Sequence, residues 1–145
     1  MKFVTKTLVL GLIMAGGIAL AQSKAADPDV NARQTLMQKN GGAMGVLGGM
    51  AKGTTAFDAA AAEAAKAALI ADAAATPAAF QNNAADPASK AKPEIWTNWD
   101  DFVADADGLA KAAAAMDATT LDGVKAGLGA IGGACKACHS EYKAS

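Results

Sequence analysis

The chain has 145 residues, of which 52% are hydrophobic, and its 13 basic residues nearly balance 14 acidic ones to give a formal charge of −1. This length and apolar fraction suit one modest domain rather than several. The sequence lacks the basic stripe that nucleic-acid binding requires, so it excludes a nucleic-acid partner.

The first 25 residues are predicted to be a secretory signal peptide. Two lysines precede an apolar run that begins at Leu8, and Ala-Leu-Ala at 19–21 is the small-residue pattern that signal peptidase recognises. Cleavage is predicted after Ala21 or near Ala25. The apolar run is at most 14 residues long, short of the roughly 20 that span a bilayer, so no membrane anchor is expected. We therefore expect export to the periplasm, with residues 26–145 forming the mature domain.

The first predicted helix opens at Asp27-Pro28, a capping residue followed by a proline that suits the first turn, and extends to about Met50. Five glycines lie within residues 41–49 of this helix, and each costs about 1 kcal/mol relative to alanine in a helix interior. Either the helix breaks there, or a bulky group needs room beside its backbone. A phosphate-binding loop is not supported, because the characteristic lysine spacing and a preceding strand are both missing.

The second predicted helix covers residues 57–75, which are rich in alanine and begin near Asp58, a suitable capping residue. Residues 76–92 contain two prolines and two asparagines and are predicted to form a long connection. A third helix is predicted over residues 93–117, because apolar residues recur there at alternating spacings of three and four. Its inward stripe consists of Ile95, Trp99, Phe102, Ala106, Leu109, Ala113 and Met116.

A fourth helix is predicted from about Thr120 to Lys143, after a short turn that makes it the antiparallel neighbour of the third. Its apolar residues recur at the same spacing, which places both cysteines of the chain on the buried stripe. Four helices without any strand pattern predict an all-α fold, and an antiparallel four-helix bundle is the simplest arrangement. The stripe consists of Leu121, Val124, Leu128, Ile131, Cys135, Cys138 and Tyr142.

The only two cysteines and the only histidine of the chain form the motif Cys135-x-x-Cys138-His139. Cys-x-x-Cys-His is the attachment signal of c-type haem, in which each thiol adds to a vinyl group and the imidazole ligates the iron. On a helix the three side chains share one side, as a flat macrocycle needs. A disulfide would close too small a loop to add much stability, a thioredoxin-like dithiol lacks its βαβ context, and a structural zinc ion lacks a fourth ligand. The sequence therefore predicts one covalently bound haem c.

Residue counts leave several candidates for the second axial position of the iron. A second histidine is excluded, so a methionine, a lysine, water or no ligand remains. Met37 and Met44 are seven residues apart and share a face of the first helix with Arg33 and Gly41. That face is predicted to look toward the haem. Met116 is interpreted as a core residue.

Three stretches of the sequence resemble the class II c-type cytochromes, the cytochrome c-prime family. They are ARQTLM near the start of the mature domain, KPEIW at the start of the third helix and GGACKACHSEYK at the C-terminus. The resemblance covers residues 27–143. It implies a left-handed antiparallel four-helix bundle in which the haem is linked to Cys135 and Cys138 and ligated by His139.

The resemblance also implies roles for two residues of the first helix. The distal position of the family falls on Met37, four residues after Arg33, and Arg33 becomes a candidate partner for a haem propionate. The stretch LMQKNGGAMGVL resembles the low-spin branch of the family, in which this methionine is the sixth ligand. The family often has an arginine where this chain has Lys143, which weakens the case for a guanidinium contact at that position.

Two functions follow from this assignment. A thioether and an imidazole hold iron in both oxidation states with little rearrangement, so ligation by Met37 predicts a one-electron carrier that exchanges electrons with redox partner proteins. If the sixth position is open, the resemblance to the high-spin branch implies binding of nitric oxide or carbon monoxide. An enzyme is not expected, because no distal histidine is available as acid or base. The sequence leaves both a monomer and a homodimer open.

Overall fold

The structure, a computed structural model, describes residues 24–145, and the signal-peptide prediction falls outside that range except for its last two residues. The helices of this range are α1 (Pro28–Lys52), α2 (Ala59–Phe80), α3 (Glu94–Thr97), α4 (Trp99–Ala115) and α5 (Leu121–Tyr142). α1 packs against α2, α2 against α4 and α4 against α5, and α5 closes the ring against α1. The predicted all-α four-helix bundle is confirmed. None of the described helices is both long enough and apolar enough to cross a bilayer.

α1 is continuous through its glycines, so the break considered from the sequence does not occur. The Asp27 carboxylate accepts hydrogen bonds from two N–H groups of the first turn and caps the helix as predicted. Gly53, with φ of 74°, ends the helix in the left-handed conformation that favours glycine. Ala43, Leu47 and Met50 are buried between the glycines. Their burial offsets the poor helix propensity of this segment.

α2 extends beyond the predicted end at residue 75 to Phe80, and Pro77 lies inside its last turn. The connection between α2 and α3 therefore begins after Phe80, not at residue 76 as predicted. A proline in a last turn removes one main-chain hydrogen bond, and the burial of Thr76 and Phe80 compensates for this loss. The Thr76 hydroxyl also donates to the carbonyl of Asp72 at 2.8 Å.

The predicted third helix is in fact two helices, α3 and α4, separated at Asn98, which has φ of −119° and ψ of 46°. Asparagine is a weak helix former, because its side chain competes with the backbone for hydrogen bonds. Ile95 before the break and Phe102 after it are nevertheless buried in one cluster. Met116 follows the end of α4 and is 2% exposed, which confirms it as a core residue.

Two groups of side chains fill the bundle. The aromatic cluster consists of Phe80, Ile95, Phe102 and Tyr142, and the ring of Phe102 lies 5.1 Å from that of Phe80 and 5.3 Å from that of Tyr142. This cluster surrounds the C-terminal end of α5. The main core is built largely of alanine and small aliphatic residues and consists of Ala43, Leu47, Met50, Ala62, Ala65, Leu69, Ala113, Met116, Ala118, Val124 and Ile131.

Gly127 allows α5 to approach the end of α4 closely. A Cβ atom at Gly127 would lie 2.5 Å from Cγ and 3.2 Å from Cα of Met116. We expect Gly127→Ala to lower the free energy of unfolding by about 1–3 kcal/mol, because the clash forces buried atoms to shift. Gly129→Ala is the matched control: nothing lies within 4 Å of its Cβ position, so its higher helix propensity should stabilise the protein by up to about 1 kcal/mol. Equal urea midpoints for the two haem-loaded variants would contradict the close approach.

Candidate haem site

The motif residues lie in the last turns of α5, whose first turn is capped by the Thr120 hydroxyl. Cys135 and Cys138 are half-buried and are not joined by a disulfide. Cys138 packs against the aromatic cluster, and the exposed His139 lies at the edge of a cavity next to it. The same helix therefore turns one cysteine toward the interior and presents its imidazole at the cavity.

The cavity has a volume of about 570 Å³ and opens to solvent. Ligand and cofactor sites commonly occupy about 300–1,000 Å³ and are mostly apolar. All five helices and residues 87–91 of the connection before α3 contribute to its wall, while Cys135 lies one turn earlier on α5. A cavity of this size that is lined by Cys138 and His139, with Cys135 one turn away on the same helix, fits a covalently attached haem. The wall includes Val30, Arg33, Met37, Phe80, Cys138 and His139.

The surroundings of the motif shift the pKa of each of its three functional side chains. Burial raises the pKa of the Cys138 thiol to about 12, with the negative charge of Asp105 as the next cause. Burial also raises the pKa of the Cys135 thiol. Partial desolvation lowers the pKa of His139, and the positive charge of Lys143 adds to this effect. The imidazole is therefore neutral near pH 7, which is the form that binds metal.

The structure separates the methionines that the sequence placed on one face. Met37 lies in the cavity wall and packs against the aromatic cluster. Met44, two turns further along α1, packs against the main core instead. The expectation that both face the haem is therefore wrong for Met44, because the cavity is confined to one end of the bundle. Among the described residues, Met37 is the only methionine in the wall of this cavity.

Arg33 also lies in the cavity wall and is 3% exposed. Its guanidinium donates to the carbonyl of Ala79 at 3.1 Å, to that of Ala84 at 3.4 Å and to that of Asn82. Burial lowers its pKa, an effect that nearby acidic residues of α1 and its cap oppose. Three of its five N–H groups thus serve the protein backbone. The propionate contact stays a prediction.

The glycines of α1 do not line the cavity. The expectation that they make room for the cofactor is therefore wrong, and nothing lies within 4 Å of a Cβ atom at Gly41, Gly42 or Gly45. Conversely, sequence reasoning missed Phe80, which it left in a connection. The sequence did contain a signal for it, because the helical spacing of inward residues continues through Pro77. These residues are four, three and four positions apart and are all buried: Leu69, Ala73, Thr76 and Phe80.

Tyr142 lies on the inward stripe of α5, as predicted, and it has a hydrogen-bond partner on α4 that the spacing does not indicate. The Tyr142 hydroxyl donates to Asp101 Oδ2 at 2.8 Å, and the ring is 2% exposed. This bond ties α4 to the turn of α5 that follows His139. It therefore holds the end of the haem-binding helix against the bundle.

Comparison with known proteins places this arrangement in a family. A family model described as Cytochrome C' matches residues 29–143, which include all five helices except for one terminal residue of α1. The chain belongs to the cytochrome c′ family. The resemblance to class II c-type cytochromes is thereby confirmed.

Relatives within the family carry different names. Cytochrome c-556 of Agrobacterium fabrum is 34% identical over 146 residues, covering 99% of this chain and 95% of its own length. Cytochrome c-554 of Cereibacter sphaeroides is 35% identical, covering 86% of this chain and 87% of its own. The structure of cytochrome c′ from Rubrivivax gelatinosus matches with a TM-score of 0.66 and 29% identity, covering 79% of this chain and 96% of its own.

A nitric oxide complex of a cytochrome c′ variant from Alcaligenes xylosoxidans matches with a TM-score of 0.71 and 28% identity, covering 81% of this chain and 94% of its own. The chain is accordingly a monohaem c-type cytochrome of the c′ family, and its cofactor is one covalently bound haem c. This confirms the cofactor prediction.

Proposed function

We propose that the protein is a periplasmic one-electron carrier with a low-spin haem. In this proposal Cys135 and Cys138 attach the haem, His139 is the proximal iron ligand and Met37 is the sixth ligand. One observation carries the proposal: Met37 lies in the wall of the cavity that also contains Cys138 and His139. The relatives named cytochrome c-556 and c-554 support it as members of the same family.

The bound haem supplies an iron that takes up and releases one electron. The chain's own residues determine the surroundings of that iron. The neutral imidazole of His139 offers a nitrogen ligand, and the thioether of Met37 offers a sulfur ligand that favours the ferrous form. Phe80, Ile95 and Phe102 give the cavity wall an apolar surface that would lower the polarity around the iron. If His139 and Met37 both held the iron, it would stay bound to the same two side chains in both oxidation states, and electron exchange would need little rearrangement.

Location and partners belong to the same proposal. The predicted signal peptide supports export to the periplasm. There the protein could exchange electrons with soluble or membrane-bound redox proteins. We expect the carrier to accept and donate electrons at the open side of the cavity, because the distance between the haem and a redox partner would be shortest there. Redox partner proteins are thus the expected partners.

A second function, binding of nitric oxide or carbon monoxide, has a specific observation in its favour. The wall of the cavity that contains Met37 also includes the apolar side chains of Val30 and Ile95, which suit a small uncharged gas. A relative from Alcaligenes xylosoxidans has been crystallised as a variant in complex with nitric oxide. This function requires that Met37 leave the iron open.

Visible spectra of the haem-loaded protein distinguish the two functions. The protein would be produced with haem-maturation machinery and measured in both oxidation states, with and without carbon monoxide. Sharp low-spin bands that carbon monoxide does not alter, together with the weak ferric sulfur-to-iron band, are expected for the electron carrier. Broad high-spin bands that shift on adding carbon monoxide would overturn that proposal in favour of gas binding.

A further inference from the structure

Phe80 occupies an unusual place at the end of α2. Its ring lies in the cavity wall and 5.1 Å from the ring of Phe102, which in turn contacts Tyr142. Phe80 is also the last residue of α2. The last carbonyl groups of a helix lack partners within it, and terminal turns tend to fray. A cavity-lining side chain at this position therefore needs something to hold it.

Arg33 meets this need from the neighbouring helix. It binds the carbonyl of Ala79, which precedes Phe80, and those of Asn82 and Ala84, which follow it. The carbon atom at the centre of its guanidinium lies 5.1 Å from the centroid of the Phe80 ring. A cation at the C-terminal end of a helix is also favoured by the helix dipole.

Trp96 supports the same segment from α3. Its Nε1–H donates to the carbonyl of Phe80 at 2.8 Å, and its ring lies 5.2 Å from the Arg33 guanidinium. The guanidinium is thus flanked by two aromatic rings, an arrangement that favours a cation. The carbonyl groups that Arg33 and Trp96 bind belong to Phe80 and to residues on either side of it, so the contacts act on one short segment.

We propose that Arg33 is a positioning residue that fixes Phe80 in the wall of the haem cavity by binding the carbonyl groups on either side of it. The planar guanidinium is required, because it directs several N–H groups at fixed angles toward three acceptors, whereas a lysine ammonium is a single point of charge. This role differs from a contact with a haem propionate, in which the positive charge itself acts on the cofactor.

Substitutions of Arg33 in the haem-loaded protein separate the two roles. Arg33→Lys keeps the charge and loses the planar group, whereas Arg33→Gln loses both. Lys39→Gln, an exposed cation on the same helix, is the control. Hydrogen exchange would be followed at the amides of residues 78–81, together with the pH dependence of the reduction potential. The exchange measurement does not depend on which side chain is the sixth ligand.

We expect both Arg33 variants to exchange about tenfold faster than the wild type at the end of α2, because each loses hydrogen bonds from a charged donor. The pH dependence of the potential should match that of the control. Unchanged exchange, with an altered pH dependence in Arg33→Gln that Arg33→Lys restores, would overturn the proposal and favour the propionate contact.

A second variant keeps the proposal testable if Arg33 variants do not fold. Trp96→Phe retains an aromatic ring and removes the N–H that binds the Phe80 carbonyl, together with part of the indole surface. We expect faster exchange at the same amides, by a smaller factor than for Arg33→Lys. If exchange at residues 78–81 stays at the wild-type rate in Trp96→Phe, the segment is not held by its carbonyl contacts and the proposal is wrong.

Discussion

Replacing Met37 with alanine is expected to convert a low-spin iron to a high-spin iron and to make it accessible to carbon monoxide. Met37 lies in the wall of the cavity that contains His139, and alanine has no atom that can ligate the metal. The conversion should be essentially complete, because among the described residues no other methionine lines this cavity and the chain has no second histidine. The reduction potential should fall, since a thioether favours ferrous iron. Visible spectra and potentiometry measure both changes.

Met44→Ala is the matched control for this substitution. Met44 has the same side chain on the same helix but packs against the main core. Its removal should lower the free energy of unfolding by less than the about 2–5 kcal/mol typical of a fully buried methionine, because Met44 is half-buried. The visible spectrum should stay unchanged. A spin conversion in Met44→Ala with none in Met37→Ala would show that the ligand assignment is wrong. No conversion in either variant would favour the open iron of the gas-binding function.

Removing both haem-attachment sites is expected to have the largest effect on folding. The double substitution Cys135→Ala and Cys138→Ala leaves an open cavity of about 570 Å³ at one end of the bundle. A covalent ligand that binds only the folded chain contributes several kcal/mol, so we expect the melting temperature to fall by more than about 10 °C. The aromatic cluster should loosen first, because Cys138 packs against it. Circular dichroism melts, with near-ultraviolet signals for the aromatic residues, measure this.

The control for the double substitution is Ser140→Ala in the same helix, an exposed residue whose hydroxyl bonds only to a carbonyl one turn earlier. It should melt as the wild type does. The main core includes Leu47, Leu69 and Ile131 and lies away from the cavity, so some helix should persist in the haem-free chain. A cooperative, native-like melt of the double variant would show that the bundle does not depend on haem.

Several features of the fold followed from residue spacing alone. The stripe on α5 is built as predicted, with Val124, Ile131 and Tyr142 fully buried. A spacing of three and four is a direct consequence of helix geometry, so it survives without knowledge of neighbouring elements. The break at Asn98 and the extension of α2 through Pro77 were not predicted. The extension depends on burial of Phe80 against residues distant in the chain, which local propensity does not include. The break has a local signal in the weak helix propensity of asparagine, but the regular apolar spacing on both sides of Asn98 outweighed it in the prediction.

The chemical motif and the identity of its cofactor were determined by the sequence itself. Cys135, Cys138 and His139 are close in the chain, and helical geometry places them on one side without help from the rest of the protein. The family was likewise recognisable from short stretches, since these residues keep their order in any fold. The spacing of Arg33 and Met37 was also visible, but their partners were not.

Only the tertiary structure decided which residues of α1 meet the motif at the far end of the chain. Helix spacing alone does not distinguish Met37 from Met44, yet Met37 lies at the cavity and Met44 packs against the main core. The guanidinium of Arg33 donates to carbonyl groups in the last turn of α2 and in the segment that follows it. Such contacts join residues tens of positions apart, and their existence depends on how four helices pack against each other rather than on the period of any one of them.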